Sequence, residues 1–193
     1  MHDAFAALLR QPTARRYKQL RSQLLAAGLP GDFSLHLAEV ERLMAGQVLA
    51  EAGALASELL SFGLLSLRLH RLGGQLALEH GQQQRAELHR FTYDALSAAI
   101  LATGDGTRRR PLLVTYPSDA AELLTAKGFE VLSQSLIEEN DRRYDVLLCS
   151  GEREFWFDVT DLLPRTAVTA ASERRPKAGA NAKPSRSRLV SRR

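Results

Sequence analysis

Hydrophobic residues in the first hundred positions recur at intervals of three and four, the spacing that places them on one face of an α-helix. The pattern is clearest from Gln82 to Thr103, where the periodic positions are Ala86, Phe91, Tyr93, Leu96, Ile100 and Leu101. The turn Gly104-Asp105-Gly106 follows at once. Because glycine accepts left-handed backbone angles and aspartate can bond to its own backbone, this turn predicts the end of the helix.

The same spacing predicts five shorter helices before this one. They are Ala4 to Arg10, Thr13 to Ala27, Leu35 to Ala45, Val48 to Ser61 and Leu64 to His80. The second of them has an apolar side of Tyr17, Leu20, Leu24 and Leu25 and a basic side of Arg15, Arg16, Lys18 and Arg21. We expect the basic side to face the solvent, as charge along a helix usually does, with a nucleic-acid surface as the alternative.

Two of the predicted helix connections carry glycine at a spacing close to that of a known helical repeat. Gly46 and Gly81 are 35 residues apart, and tetratricopeptide helix pairs repeat at about 34 residues. Gly74, Gly81 and Ala86 also resemble the tetratricopeptide pattern of small residues between paired antiparallel helices. The earlier pair departs from it, because Glu39 occupies the position of the first small residue. Two pairs are too few for a solenoid, so we expect the rest of the chain to cap them.

After the glycine turn, the spacing changes to that of β-strands. We predict strands at Leu112 to Tyr116, Phe129 to Ile137, Tyr144 to Cys149 and Glu154 to Thr160, with a polar loop at Glu138 to Arg143 and a helix that Pro117-Ser118-Asp119 caps and Gly128 ends. The order β-α-β-β-β after a run of helices predicts the α+β class. Residues 1–103 are the predicted tetratricopeptide-like region of antiparallel helical hairpins, and residues 104–164 are a small sheet module packed on it.

The net charge of +4 is unevenly distributed along the 193 residues. From Arg165 to Arg193 the chain has nine basic residues and one acid, Glu173, and it has no aromatic residue. The remainder carries a net charge of −4, so the high isoelectric point belongs to this segment. This segment has too little apolar surface to form a core, so we predict that residues 165–193 are a disordered basic tail.

Composition and motifs exclude several classes of protein. Cys149 is the only cysteine, which excludes an intramolecular disulfide and a multi-cysteine metal cluster. No signal-peptide pattern is visible near Met1, and the most apolar region, Met44 to Leu69, contains three charged residues. We therefore expect a cytoplasmic protein without a membrane partner, and no motif predicts a cofactor.

Several polar residues stand where a core is expected. His70 and His89 lie in adjacent predicted helices, at positions that a tight helix pair would bring together. Gln134 interrupts an apolar strand, and Asp145 and Asp158 precede valines in neighbouring strands. Two imidazoles and two carboxylates could bind a metal or perform acid–base chemistry, although no local metal motif is present. The alternative is that these groups hydrogen-bond across the helix–sheet junction and fix its register.

An ordered series of short motifs resembles the pattern of an uncharacterised bacterial family, in which tetratricopeptide-like helices precede a small C-terminal module. The motifs are His89-Arg90-Phe91, Ile100 to Gly106, Gln134-Ser135-Leu136, Tyr144-Asp145-Val146 and Phe157-Asp158-Val159. This chain has Thr103 where the family usually has serine, a weaker first helix pair and an added basic tail. The resemblance covers Phe33 to Leu163 and implies the fold and a bacterial origin, and it supplies no activity because the family is a domain of unknown function.

The same resemblance marks six recurring polar positions as the candidate site. These positions are His70, His89, Gln134, Tyr144, Asp145 and Asp158. The sequence assigns them neither a catalytic role nor a metal, so they form a candidate polar cluster.

These observations lead to three hypotheses for the function. The first is a non-enzymatic protein-interaction module, because arrays of helix pairs present a groove that suits a peptide or a partner helix. The second is a small hydrolase or metal-dependent enzyme that uses His70, His89, Asp145 and Asp158. The third is non-specific nucleic-acid association, which requires only charge, through the tail residues Arg174, Arg175, Lys177, Lys183, Arg186 and Arg188.

Overall fold

Seven α-helices, four strands and a 3-10 turn make up residues 2–162, the part of the chain that the computed structural model describes. The helices are α1 His2–Arg10, α2 Ala14–Ala27, α3 Phe33–Ala45, α4 Leu49–Leu59, α5 Leu67–Glu79, α6 Gln83–Leu101 and α7 Ser118–Ala126. The strands are β1 Leu112–Leu113, β2 Val131–Glu139, β3 Arg142–Cys149 and β4 Arg153–Asp158, followed by the 3-10 turn Thr160–Leu162. The predicted α+β class is confirmed. The predicted disordered tail, residues 165–193, lies outside the described residues.

Two helical hairpins, α3–α4 and α5–α6, repeat along the chain at an offset of 34 residues. Their first helices are both 13 residues long and begin at Phe33 and Leu67. Their second helices begin at Leu49 and Gln83, which is the same offset. The helix pairs expected from the sequence are therefore present, and the two hairpins are equivalent position by position up to the end of α4.

The turns inside the two hairpins have the same geometry, which corrects the predicted register. Gln47 and Gly81 occupy the same place in the turn, with φ angles of 60° and 67°. In both turns the N–H of the next residue bonds to the carbonyl five residues before it. Gly46 is therefore equivalent to His80, and the 35-residue spacing between the glycines exceeds the structural period by one. The sequence pattern misleads here because Gln47, a residue with a side chain, takes the left-handed angle.

The glycine turn after α6 ends the helix as predicted, although its two glycines act differently. Gly106 has a φ of 78°, and Asp105 Oδ1 accepts hydrogen bonds from the N–H and hydroxyl of Thr107 at 3.0 and 2.7 Å. Gly104 has no left-handed angle, and a Cβ there would lie 2.3 Å from the carbonyl oxygen of Pro111. The expectation of a left-handed glycine is therefore wrong for Gly104, where glycine is needed because another backbone segment crosses it.

The sheet has the strand order β1-β4-β3-β2, with β1 parallel to β4 and the other neighbours antiparallel. β1 pairs only through Leu112 and Leu113, so it is shorter than the predicted strand. The carbonyl of Val114 instead accepts a hydrogen bond from Arg21 Nε at 2.9 Å. A side chain of α2 thus replaces the continuation of the ladder.

The polar loop predicted over residues 138–143 is instead the tip of a β-hairpin. β2 and β3 continue to Glu139 and Arg142, which face each other across the ladder. Asn140 and Asp141 form the turn, with φ angles of 50° and 60°. The loop prediction is wrong because a two-residue hairpin turn needs left-handed angles, and both residue types tolerate them.

α2 carries a buried arginine that the sequence pattern assigns to the solvent. Arg21 is 3% exposed, and besides Val114 it binds Asp161 Oδ2 through Nη1 at 2.9 Å. One turn earlier, the hydroxyl of Tyr17 hydrogen-bonds to the hydroxyl of Thr115 at 2.9 Å. The prediction for Arg21 is wrong because the segment after β1 and the 3-10 turn pack against this side of α2.

The hydrophobic core continues from the helices into the sheet. Helix residues of this core include Leu8, Leu37, Leu72 and Leu96, and sheet residues include Leu112, Leu147 and Phe157, all at most 2% exposed. The predicted helical region and the predicted sheet module therefore share one core within residues 2–162.

Candidate functional site

The two candidate histidines meet inside the α5–α6 hairpin. His70 lies on α5 and His89 on α6, and their side chains are buried, with exposures of 5% and 6%. The ring centroids are 5.3 Å apart, and the two Nδ1 atoms are 3.1 Å apart. The proximity expected from the sequence is therefore present in the structure.

Glycine on α5 makes room for the ring of His89. A Cβ on Gly73 would lie 2.6 Å from His89 Cε1 and 2.9 Å from both ring nitrogens, so the ring lies directly against the backbone of α5. A Cβ on Gly74 would lie 3.5 Å from His89 Cβ, an ordinary van der Waals contact. The close approach of the helices therefore depends on Gly73, whereas the small-residue pattern in the sequence uses Gly74.

A backbone carbonyl determines where the protons of the two rings lie. His70 Nε2 is 3.1 Å from the Leu64 carbonyl oxygen, which can only accept, so the neutral ring carries its proton on Nε2. His70 Nδ1 then accepts from the Nδ1–H of His89, which leaves a lone pair on His89 Nε2. Burial lowers the pKa of His70 to about 4, and burial followed by the charge of Arg85 lowers the pKa of His89. Both rings are therefore neutral at pH 7.

The histidine pair separates two cavities. On the side of His70, a cavity of about 980 Å³ lies between α5, α6 and α7, and we call it the groove. Its lining includes Arg71, Leu78, Arg90, Tyr93, Ala121 and Glu122. On the side of His89, a cavity of about 250 Å³ lies between α4 and the α5–α6 hairpin, and we call it the cleft. Its lining includes Gly53, Ser57, Gly73, His80, Arg85 and His89.

Ion pairs organise one wall of the groove. Arg71 donates to Glu122 at 2.9 Å and to Glu41 at 3.0 Å, and Arg68 pairs with the same Glu41. The hydrogen bond from Arg68 is the main cause that lowers the pKa of Glu41, so this acid stays ionised near neutral pH. The hydroxyl of Tyr93 donates to Glu122 at 3.3 Å. The network joins α3, α5, α6 and α7 around the groove.

The two candidate aspartates lie on opposite faces of the sheet. Asp145 is directly opposite Phe157 in the ladder, so its side chain shares the core face with that buried ring. Asp158 is opposite Tyr144, whose ring packs edge-on against Trp156 with centroids 5.5 Å apart on the other face. The structure therefore does not bring the two carboxylates together.

Each candidate aspartate has its own partners within the sheet. Gln134 Nε2 donates to Asp145 Oδ2 at 2.6 Å, and burial raises the pKa of Asp145. Asp158 accepts from the N–H and hydroxyl of Thr160 at 3.1 and 2.6 Å, and from Arg142 at 3.0 Å. These hydrogen bonds hold the edge strand β2 and the end of β4 in register.

The histidines and aspartates do not form one set of metal ligands. Within residues 2–162, no group of three or more His, Cys, Asp or Glu side chains is placed to hold a metal ion. The structure brings together His70 with His89, and Gln134 with Asp145, as two separate pairs.

Asp119 is a fully buried acid whose role the sequence pattern misassigns. α7 has no side-chain cap, and Asp119 faces the start of α5, where its Oδ1 accepts from the Ser66 hydroxyl and the Arg68 N–H, both at 3.2 Å. Its Oδ2 is buried without a hydrogen bond to any described residue. Burial raises the pKa of Asp119 to about 7. The acid therefore joins α7 to α5, and its only signal in the sequence is its position early in a predicted helix.

No protein-family model, curated protein or solved structure matches this chain. The resemblance to a bacterial family therefore stays a prediction. None of the helices within residues 2–162 is long and apolar enough to cross a membrane. The six tail residues of the nucleic-acid hypothesis lie outside the described part of the chain.

Proposed function

We propose that this protein is a tetratricopeptide-like interaction module that binds an amphipathic helix of a partner protein in the groove. The observation that carries the proposal is the groove, which has a volume of about 980 Å³. Leu78, one of its lining residues, is 55% exposed. Cavities for small ligands measure about 300–1,000 Å³, so the groove lies at the upper end of that range. The 34-residue offset between the two hairpins supports the comparison of this chain with tetratricopeptide proteins, because their repeats have about this period.

The walls of the groove favour a helix as the occupant. Because α5, α6 and α7 use their backbone groups internally, an extended segment would find few backbone partners along these walls. A helix satisfies its own backbone groups and can place its side chains between those of other helices. Leu78, Ala86 and Tyr93 supply the apolar contact surface for such a helix.

Unpaired charges on α6 indicate which side chains the partner helix carries. Glu87 and Arg90 lie about one turn apart in the groove lining, and neither forms a salt bridge with another residue of the described region. Arg68 and Arg71 are already neutralised by acids. A partner helix with a basic and an acidic residue one turn apart would satisfy both free charges, and this complementarity would set its direction.

Selection from a displayed library of helix-forming peptides tests the proposal. The selected peptides should share an apolar face flanked by acidic and basic positions one turn apart. Leu78→Lys should weaken their binding about tenfold or more, because a lysine replaces an exposed apolar side chain of the groove lining. Leu35→Lys is the matched control, because Leu35 is 73% exposed on α3 outside the groove and its substitution should leave binding unchanged.

Charge reversal tests the orientation of the partner helix. Arg90→Glu should weaken binding of a selected peptide, and a peptide whose acidic position is changed to arginine should recover affinity for that variant. Fluorescence anisotropy measures both affinities. Equal losses for Leu78→Lys and Leu35→Lys, or a library that yields no enriched peptide, would refute the proposal.

A further inference from the structure

We propose that the cleft binds a small carboxylate anion, with the charged end between Arg85, His80 and His89 and a short hydrocarbon part against the apolar lining. This goes beyond the proposed function, because the cleft and the groove have different linings on the two sides of the histidine pair. At about 250 Å³, the cleft is below the usual range of about 300–1,000 Å³ for small-ligand cavities, which limits the ligand to a few heavy atoms.

Two histidines in the lining of the cleft each have a ring nitrogen with a lone pair. The Nδ1–H of His80 donates to the Leu76 carbonyl at 2.7 Å, so its Nε2 carries no proton while the ring is neutral. His89 has its Nε2 in the same state, because its Nδ1–H is donated to His70. Neither Nε2 has a hydrogen bond to another residue within 2–162. The Nε2 of His89 can therefore take up a proton and donate it to a bound anion.

Arg85 supplies a permanent positive charge beside these nitrogens. Its Nη2 donates to Ser57 Oγ on α4 at 3.1 Å, and its Nη1 donates to Gln82 Oε1 at 3.4 Å. The described lining of the cleft contains no Asp or Glu, and Arg85 has no salt bridge among the described residues. A guanidinium with only neutral partners can exchange one of them for a carboxylate, which forms stronger charge-assisted hydrogen bonds.

The rest of the lining selects for a hydrocarbon part. It consists mainly of small and aliphatic side chains, among them Ala50, Ala54, Leu60, Leu69 and Ala77. Inorganic phosphate would leave this apolar surface without a partner, whereas a short aliphatic carboxylate covers it. A divalent cation fits less well, because Arg85 would repel it and no third ligand of the His, Cys, Asp or Glu class is placed nearby in the described region.

Binding should be accompanied by proton uptake. Burial and then the charge of Arg85 lower the pKa of His89, and a bound carboxylate would offset that charge and accept a hydrogen bond from a protonated Nε2. The other titratable groups that face His89 are His70 and His80 on the α5 side, and α4 contributes no charged residue to the cleft. His89 therefore holds a proton more tightly when the carboxylate is bound. The affinity for the carboxylate should rise as the pH falls from neutral.

Isothermal titration calorimetry of the full chain with butyrate tests the site. We expect one saturable site, and buffers of different ionisation enthalpy should reveal proton uptake on binding. Acetate should bind about tenfold more weakly than butyrate, because it lacks two methylenes that the cleft would bury. Inorganic phosphate and Zn²⁺ are titrated alongside as the two competing ligand classes.

Substitutions locate the binding to the cleft. Arg85→Gln should weaken butyrate binding about tenfold or more, while Arg90→Gln, on the same helix but in the groove lining, should not change it. The proposal is overturned by equal affinities of the two arginine variants, by no saturable heat with butyrate, by preference for phosphate, or by Zn²⁺ binding that excludes butyrate.

Discussion

Buried hydrogen bonds between distant residues join the helices to the sheet module. Tyr17 binds Thr115, and Asp119 binds Ser66, and the partners are separated by 98 and 53 positions along the chain. These groups are excluded from water, so the loss of either hydrogen bond would leave a buried polar group without a partner and destabilise the folded state. The polar contacts therefore specify how the segment after β1 docks on α2 and α5, in addition to the apolar packing.

At the level of single residues, we predict that Asp119→Asn stabilises the protein at alkaline pH. Burial raises the pKa of Asp119 from 3.8 to about 7, so the folded state binds this proton more tightly than the unfolded chain. The contribution of the carboxyl to stability is full below about pH 4 and is lost as the pH rises to about 7. Asparagine does not ionise, so the free energy of unfolding of the variant at pH 8 should exceed that of the wild type by about 1–3 kcal/mol. This figure includes the cost of burying an amide N–H group that has no acceptor.

Urea unfolding of the variant and the wild type between about pH 4 and pH 8 measures this difference. Subtracting one profile from the other cancels the contributions of all other titrating groups, including His70. Asp94→Asn is the control, because Asp94 is exposed on α6 and its substitution should give no pH-dependent difference. A stability difference for Asp119→Asn that does not change with pH would contradict the prediction.

At the level of elements, the α5–α6 hairpin differs from its counterpart α3–α4 at the two positions that form the contact between His89 and the backbone of α5. The offset of 34 residues makes Glu39 equivalent to Gly73, and Leu55 equivalent to His89. Because Glu39 has a side chain where Gly73 has none, the first hairpin has no equivalent of the ring-to-backbone contact. The buried histidine pair is therefore a specialisation of the second hairpin.

We predict opposite effects of alanine at two adjacent positions of α5. Gly73→Ala should lower the free energy of unfolding by about 1–3 kcal/mol, because its Cβ would lie 2.6 Å from His89 Cε1 and push the helices apart. Gly74→Ala should raise it by about 0.5–1 kcal/mol, because its Cβ fits and alanine is the better helix former. Urea unfolding measures both. Stabilisation by both substitutions would mean that α6 can move away without cost.

At the level of the whole molecule, charge is divided between two regions of the chain. The nine basic residues and one acid of residues 165–193 contrast with a net charge of −4 in the remainder. A positive segment releases counterions when it binds a polyanion, whereas an acidic region is repelled by it. Any association with nucleic acid should therefore depend on the tail.

We predict that a chain ending at residue 164 does not bind nucleic acid, while the full chain binds single- and double-stranded DNA without sequence preference. The affinity of the full chain should fall steeply with salt concentration. Fluorescence anisotropy with labelled oligonucleotides measures this. The matched control keeps the chain length and changes Arg174, Arg175, Lys177 and Lys183 to glutamine, which should weaken binding in the same direction. Unchanged binding by the shortened chain would contradict the prediction.

The class of the fold and most of its elements can be predicted from local patterns in the amino-acid sequence. α6 and the turn after it, the equivalent hairpins, and the alternation of Phe157 with Asp158 in β4 all follow from local spacing. Such spacing is readable because a helix or strand places neighbouring residues on a face according to its own period. The same local logic fails for Gln47 and for the turn after β2, where residues other than glycine take left-handed angles.

Which distant groups meet depends on the packing of the folded chain and is not visible in local spacing. Local spacing predicted that Arg21 faces the solvent, although its side chain binds the Val114 carbonyl. It also predicted that Asp119 acts at the start of its own helix, although its carboxyl accepts a hydrogen bond at the start of α5. The ladder register put Asp145 and Asp158 on opposite faces, because a shift of one residue in a strand reverses its side chains. The groove and the cleft likewise arise from how helices pack against one another, which depends on contacts between segments and not on the period of any one of them.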